Sequence, residues 1–431
     1  MNRLASVLFW SIIAAAFIGP GTVTAAASAG AGFGHALLWA LVFSTIACLV
    51  LQEASARLTV VSGRNLGEAL RERYRTGWRS LAVLVLVLGA IVLGCAAYEA
   101  GNILGGVAGA ALNLDLSSRS LAVATVAIAA VLLFFNSPRR VAFLLSVLVA
   151  TMGAGFLWTA VQLRPAVGEL LSGALRPLLP EGSGLLVIAL VGTTVVPYNL
   201  FLGSGLAHGQ SLSELRFGLA VAVVLGGVIS MAVLVVGAAL AGPFSFEALA
   251  DVLVERLGSR ARTLFGAGLF AAGLSSAVTA PLAAAVTARS LFGHKRGEAW
   301  SDRSWRFRSV WAGVLAVGLV FGVSGIRAVP VIIVAQALNG VLLPVVAVFL
   351  LVAVNDRKLM SESTNHLFSN LTMSLVTLVT MLLGAANVLK AGARALGREA
   401  PGQGTVVVLS AIVAAAVAVP VVRALRRELR A

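Results

Sequence analysis

The chain has 431 residues, 59% of them hydrophobic and 11% charged, with a formal net charge of +15. Soluble domains carry about 25% charged residues, so this composition excludes that class and reads as a polytopic membrane protein. The basic excess invites a nucleic-acid reading, but its placement along the chain assigns it to membrane topology instead.

The first apolar segment, 4–34, is long enough to cross a bilayer yet carries Gly19-Pro20-Gly21 in its middle. Proline removes a helical hydrogen bond and the flanking glycines let the chain leave helical geometry. In hydrocarbon such a break is tolerated only where it lines a cavity or is buried in protein. Met1-Asn2-Arg3, the apolar run and Ala25-Ala26-Ala27 before Ser28 also imitate a cleavable signal peptide. A matching interruption farther along favours a broken span, and the segment is read as mature protein. Spans are expected next at 36–58, 80–107, 117–135 and 141–163, with a tight turn at Asn136-Ser137-Pro138.

The sixth segment, 184–209, is interrupted at Val196-Pro197-Tyr198-Asn199. After the span at 216–241, Pro243-Phe244-Ser245 opens an external segment in which Ser245 caps an amphipathic helix over 246–257. Further spans follow at 261–290, 307–323, 328–353, 368–390 and 404–425, about twelve in all. No linker divides the chain, so residues 1–431 are one transmembrane domain, expected in a bacterial inner (plasma) membrane.

With the N-terminus inside, 22 of the 32 Lys and Arg residues fall in cytoplasmic loops or termini, which fixes both ends in the cytoplasm. Pro20 and Pro197 lie 177 residues apart, and each opens a block of five spans. An odd number of spans per block reverses the second block in the membrane. The expected all-α architecture is therefore a 5+5 inverted repeat: spans 1–5 over about 4–163, spans 6–10 over about 184–353, and peripheral spans 11–12 over about 368–425. Its binding site lies between discontinuous spans 1 and 6 near the midplane.

Glu99 sits in the middle of the third span, between Tyr98 and Gly101-Asn102. An intramembrane carboxylate marks an ion or proton pathway by default. Glu53, four residues before Arg57 near a span end, is explained by a local ion pair. Cys48 and Cys95 fall inside spans as packing residues, and the four histidines sit at span ends or in loops, none at ligand spacing with another metal-type residue. No phosphate loop, zinc motif or nucleophile elbow stands out, so neither an enzyme nor a cofactor is expected.

Several stretches resemble the natural resistance-associated macrophage protein (NRAMP) family of proton-coupled divalent-metal transporters. They are Gly19-Pro20-Gly21, Leu37-Leu38-Trp39, Leu51-Gln52, Gly63-Arg64-Asn65-Leu66-Gly67-Glu68, Gly192 through Leu200, Gly273 through Thr279, and Gln336, Leu343-Pro344, Asn355, Leu359-Met360 and Asn365. The resemblance implies the LeuT-type fold and secondary active transport by symport, and places Glu99 on an acidic position of the proton route. The departures fall on the metal chemistry. Where the family has an aspartate and an asparagine in the first break, this chain has Gly19 and Thr22. The methionine and histidine of the second break are Val196 and Tyr198, a further histidine matches Gly203, and a glutamine of span 8 matches Leu274.

Manganese and ferrous ions need carboxylate or imidazole donors, and magnesium usually needs one or two carboxylates. Gly19, Pro20, Gly21, Thr22, Val196, Pro197, Tyr198, Asn199 and Gln336 would instead form a neutral, oxygen-rich pocket, with Thr24, Thr193, Thr194 and Asn339 nearby. It suits a loosely held, hydrated cation or a small polar solute. Three functions remain open at this point: transport of a divalent cation through an altered site, transport of a monovalent cation or small polar organic molecule, and a non-transporting sensor or structural role. The expected partners are the lipid bilayer and a small ion or polar solute, not nucleic acid.

Overall fold

The computed structural model describes residues 18–73, 77–135, 139–293, 297–395 and scattered positions between 402 and 415. The described residues are overwhelmingly helical. Nine of their helices are long and apolar enough to cross a membrane, counting Gly184–Leu206 as one span. The apolar helix Ser118–Phe134 is shorter, and of the first expected span only the second half is described. The turn at 136–138, the segment 4–17 and more than half of 404–425 lie outside the described residues.

In chain order the elements are α1 (Pro20–Phe33), α2 (Leu38–Ser62), α3 (Leu66–Arg73), α4 (Trp78–Ala111), α5 (Ser118–Phe134), α6 (Arg139–Leu163), α7 (Val167–Leu175), α8 (Gly184–Thr194), α9 (Pro197–Leu206), α10 (Leu212–Gly237), α11 (Phe246–Leu257), α12 (Arg260–Phe292), α13 (Trp305–Val323), α14 (Ala328–Ala353), α15 (Arg357–Met360) and α16 (Leu367–Ala395). The long elements match the expected spans to within a few residues. The expected surface helix is α11 itself, with the Ser245 hydroxyl accepting from the Ala248 amide at 3.0 Å. Two short helices, α3 and α7, were not anticipated. Both sit in connections where their four- to five-residue apolar faces are too brief to register as spans.

Prolines act differently according to what precedes them. Pro281 and Pro344 lie inside continuous helices, α12 and α14. At Pro197 the chain does break: Val195 (φ −107°, ψ 80°) and Val196 (φ −82°, ψ 122°) leave helical space, and α9 restarts at the proline. A residue before proline is pushed towards extended geometry, and proline suits the first helical position. Gly19 (φ −84°, ψ 176°) plays the same part ahead of Pro20.

Close approach through small residues positions the broken helices. A side chain on Gly192 of α8 would overlap the Gln336 carbonyl of α14, and one on Gly340 would meet Ile188. Gly106 and Gly273 press α4 against α12 in the same way. Small residues let helix backbones touch where lipid offers no hydrophobic drive for association. Further contacts run from α1 to α8, α10 and α14. The start of α1 at Gly19-Pro20 and the break between α8 and α9 are thereby held side by side in the middle of the bundle.

Candidate functional site

At each break the backbone loses partners: the last carbonyls of α8 and the first N–H groups of α1 and α9 have none within their own helices. Neither α1 nor α9 carries an acidic residue in its first turn. Helix N-termini carry partial positive charge, so these two ends present it without a counter-charge on their own helices.

The expected residues meet here. The hydroxyls of Thr22 (α1) and Thr193 (α8) lie 2.8 Å apart in a buried hydrogen bond that joins the two broken spans. The Gln336 carboxamide lies over Gly21, where a Cβ would overlap it. Pro20 packs on Gly105 of α4, again with no room for a side chain there. Tyr198 stands edge-to-face with Tyr98, ring centroids 5.5 Å apart at 80°. Through Tyr98, α4, which also carries Cys95 and Glu99, forms one wall beside the second break. Thr22, Val196, Tyr198, Asn199 and Gln336 are all buried.

Buried polar atoms without partners concentrate at this place. They include both carboxamide atoms of Asn199 and of Gln336, the hydroxyl of Thr24, and the side-chain oxygens of Asn102 and Asn339. A buried polar group without a hydrogen bond costs about 1–3 kcal/mol, so a run of them needs an explanation such as a ligand or water.

Glu99 is fully buried. Asn102 Nδ2 donates to its Oε2 at 3.4 Å, while Oε1 has no partner. Its methylene chain packs on Gly318 of α13. Among the described residues no basic side chain forms an ion pair with it. Nor do three or more His, Cys, Asp or Glu side chains converge anywhere among those residues.

The remaining sequence-singled residues lie away from the breaks. Glu53 accepts from Arg57 Nε at 3.2 Å, the expected pair, and also from Arg216 of α10 at 2.8 Å, so the pair is part of a wider network. Arg57, itself buried, donates to the Ser363 carbonyl at 2.6 Å and to Asn365 Oδ1. His35 lies 3.3 Å from Glu169 of α7, a pairing that sequence spacing did not suggest because 134 residues separate the two. His208 contacts the Gly63 and Gly205 carbonyls, and His294 lies outside the described residues. Cys48 and Cys95 are free and buried.

Sequence reasoning did not anticipate Cys95, Gly105 or Gly318 near the site. A glycine at i+6 from Glu99, or one facing it from another span, carries no signal until the helices are packed.

The family profile described as Natural resistance-associated macrophage protein-like matches residues 11–390. Divalent metal cation transporter MntH of Aeromonas hydrophila subsp. hydrophila is 27% identical over 372 residues, covering 82% of this chain and 88% of the relative. The protein of the same name from Yersinia pestis (strain Pestoides F) is 26% identical over 395 residues, covering 87% and 92%. Among solved structures, a manganese transporter of Eremococcus coleocola superposes with a TM-score of 0.72 at 20% identity, over 99% of this chain and 94% of that one. Mhp1, a nucleobase-cation-symport-1 family transporter, gives a TM-score of 0.57 at 18% identity, over 98% and 92%. These structures share the fold, and the family match covers nearly the whole chain including both helix breaks. This chain belongs to the natural resistance-associated macrophage protein-like (Nramp) family.

Proposed function

We propose that the chain is a secondary active transporter of a divalent cation, working by alternating access about the Pro20 and Pro197 breaks on a LeuT-type 5+5 inverted repeat with both termini in the cytoplasm. The names of its relatives support the substrate class: MntH proteins are called divalent metal cation transporters, and the solved neighbour a manganese transporter. The cluster of unpartnered amides between the breaks carries the reading of how this chain does it.

Glycine, threonine and valine stand at Gly19, Thr22 and Val196, where the family resemblance calls for metal ligands, and Tyr198 stands in place of the family's histidine. A cation stripped of its water would face an uncompensated desolvation cost of many kcal/mol there. The ion is therefore taken with water still bound. Its waters donate to Gln336, Asn199, Thr22 and the freed carbonyls, and Glu99 supplies the nearest negative charge. Such a site favours magnesium, which gives up water reluctantly, over softer metals that gain from thioether or imidazole.

A second reading, a small polar organic solute, is favoured by one feature: Asn199 and Gln336 each leave a donor and an acceptor free. Uptake into liposomes holding the purified protein separates the two. Saturable magnesium or manganese uptake, with magnesium preferred, is the expected outcome. No flux of any divalent ion alongside flux of a small polar solute would overturn the cation reading. No flux of either would leave a sensor or structural protein.

A further inference from the structure

A cavity of about 1180 Å³ opens away from the helix breaks, between α3, the end of α5, α9, the end of α12 and the start of α13. In the topology proposed above, on which this inference rests, every one of those ends is cytoplasmic. Four arginines line it: Arg71, Arg289, Arg303 and Arg308. Its two carboxylates are already engaged. Glu68 closes a capping box with Asn65, each accepting the other's backbone N–H at 3.0 Å, and Asp302 accepts from Arg289.

Three arginines are braced by local contacts. Arg71 donates to the Ser290 carbonyl at 3.0 Å, Arg289 stands 5.1 Å from the Phe307 ring centre, and Arg308 lies 4.2 Å over Phe134. Arg303 is exposed at the rim. Much of the remaining lining is apolar. This apolar lining comprises Leu133, Leu202, Leu282 and Val286 together with Leu206, Phe134 and Phe135, which are 41%, 51% and 70% exposed. Trp300 and Trp311 complete it, the aromatic type that settles at headgroup depth.

A soluble anion has no use for the apolar lining, and a neutral lipid has none for a lining whose four arginines outnumber its two carboxylates. We propose that this cavity binds an anionic phospholipid of the cytoplasmic leaflet. The arginines hold the phosphodiester, and the first part of an acyl chain lies along Leu206 and Phe135. Basic pockets between spans on the cytoplasmic side are suited to such headgroups, and planar guanidinium groups pair with phosphate in two-point contacts.

Native mass spectrometry of the full-length protein in detergent tests this, independently of any transport assay. Titration with phosphatidylglycerol and with phosphatidylcholine of the same chains should show one tightly held phosphatidylglycerol, bound about tenfold better than phosphatidylcholine. The preference should fall to near unity in the R303Q/R308Q double variant, and at least severalfold in R303Q, whose exposed side chain poses little folding risk. Equal retention of the two lipids, or an unchanged preference in a folded R303Q/R308Q protein, would overturn the proposal. If inorganic phosphate at millimolar concentration displaces the bound phosphatidylglycerol, the cavity is a soluble-anion site and the lipid assignment fails. If the double variant does not fold, the wild-type lipid comparison and R303Q decide the matter.

Discussion

Gly21 shows how a single missing side chain shapes the site. Its bare Cα lets the Gln336 carboxamide sit against α1. In G21A the new Cβ displaces that amide, and uptake is expected to fall by about tenfold or more, the scale at which a roughly 1 Å misplacement acts. Q336A should lose a comparable amount. Because the two residues touch, the G21A/Q336A double variant should be no worse than the weaker single one, which liposome kinetics on all three proteins would check. Glu99 invites a separate test. It is a fully buried carboxylate next to Tyr98 on α4, so E99Q keeps the shape while removing the exchangeable proton and the charge. Uptake driven by an inward proton gradient should lose its dependence on that gradient in E99Q. Unchanged gradient dependence would clear Glu99 of a proton role.

Among elements, the contrast between Pro197 and Pro281 is the informative one. Pro197 follows two residues already out of helical space, whereas Pro281 is accommodated inside the 33-residue α12. In P197A the restriction on Val196 is lifted, and α8 and α9 can join into one helix. Uptake should drop by about tenfold with little change in thermal stability. P281A restores an amide to the helix interior and should raise stability by about 1 kcal/mol while keeping uptake. Thermal melts paired with uptake on both variants distinguish a functional break from a tolerated proline. The stretch Gly63 to Glu68 illustrates a different case. It drew notice as a family landmark, and it is a helix stop and start. Gly63 (φ 68°) ends α2 in left-handed geometry, and the Asn65–Glu68 box begins α3.

At the scale of the whole molecule, helix ends are tied across long sequence separations. Arg57 joins α2 to the 361–365 segment, Arg216 joins α10 to α2, and Arg73 reaches Asp356 at 3.1 Å. The proposed topology puts all of these on one face. Both native cysteines are buried, so an added one reports alone. E214C, at the start of α10, should react with a membrane-impermeant maleimide only from the cytoplasmic side, and E247C, on α11, only from outside. Labelling of both from the same side would refute the alternation of the spans.

Hydrophobicity and charge distribution are enough to determine the spans, because in hydrocarbon every backbone group must be satisfied within a helix and the run length follows from bilayer thickness. Val196-Pro197 determined where α8 gives way to α9, and Gly19-Pro20 where α1 begins, since proline chemistry is local. Local capping was equally legible at Ser245. What surrounds the breaks was decided only by packing. The Thr22–Thr193 bond, the Gln336 amide over Gly21, the Tyr98–Tyr198 pair and the glycine facing Glu99 join residues far apart in the chain. None has a sequence signature, because helix approach depends on the joint fit of small residues on several helices at once. The gathering of unpartnered amides into one buried cluster, and of four arginines around one cavity, exists only in the tertiary structure.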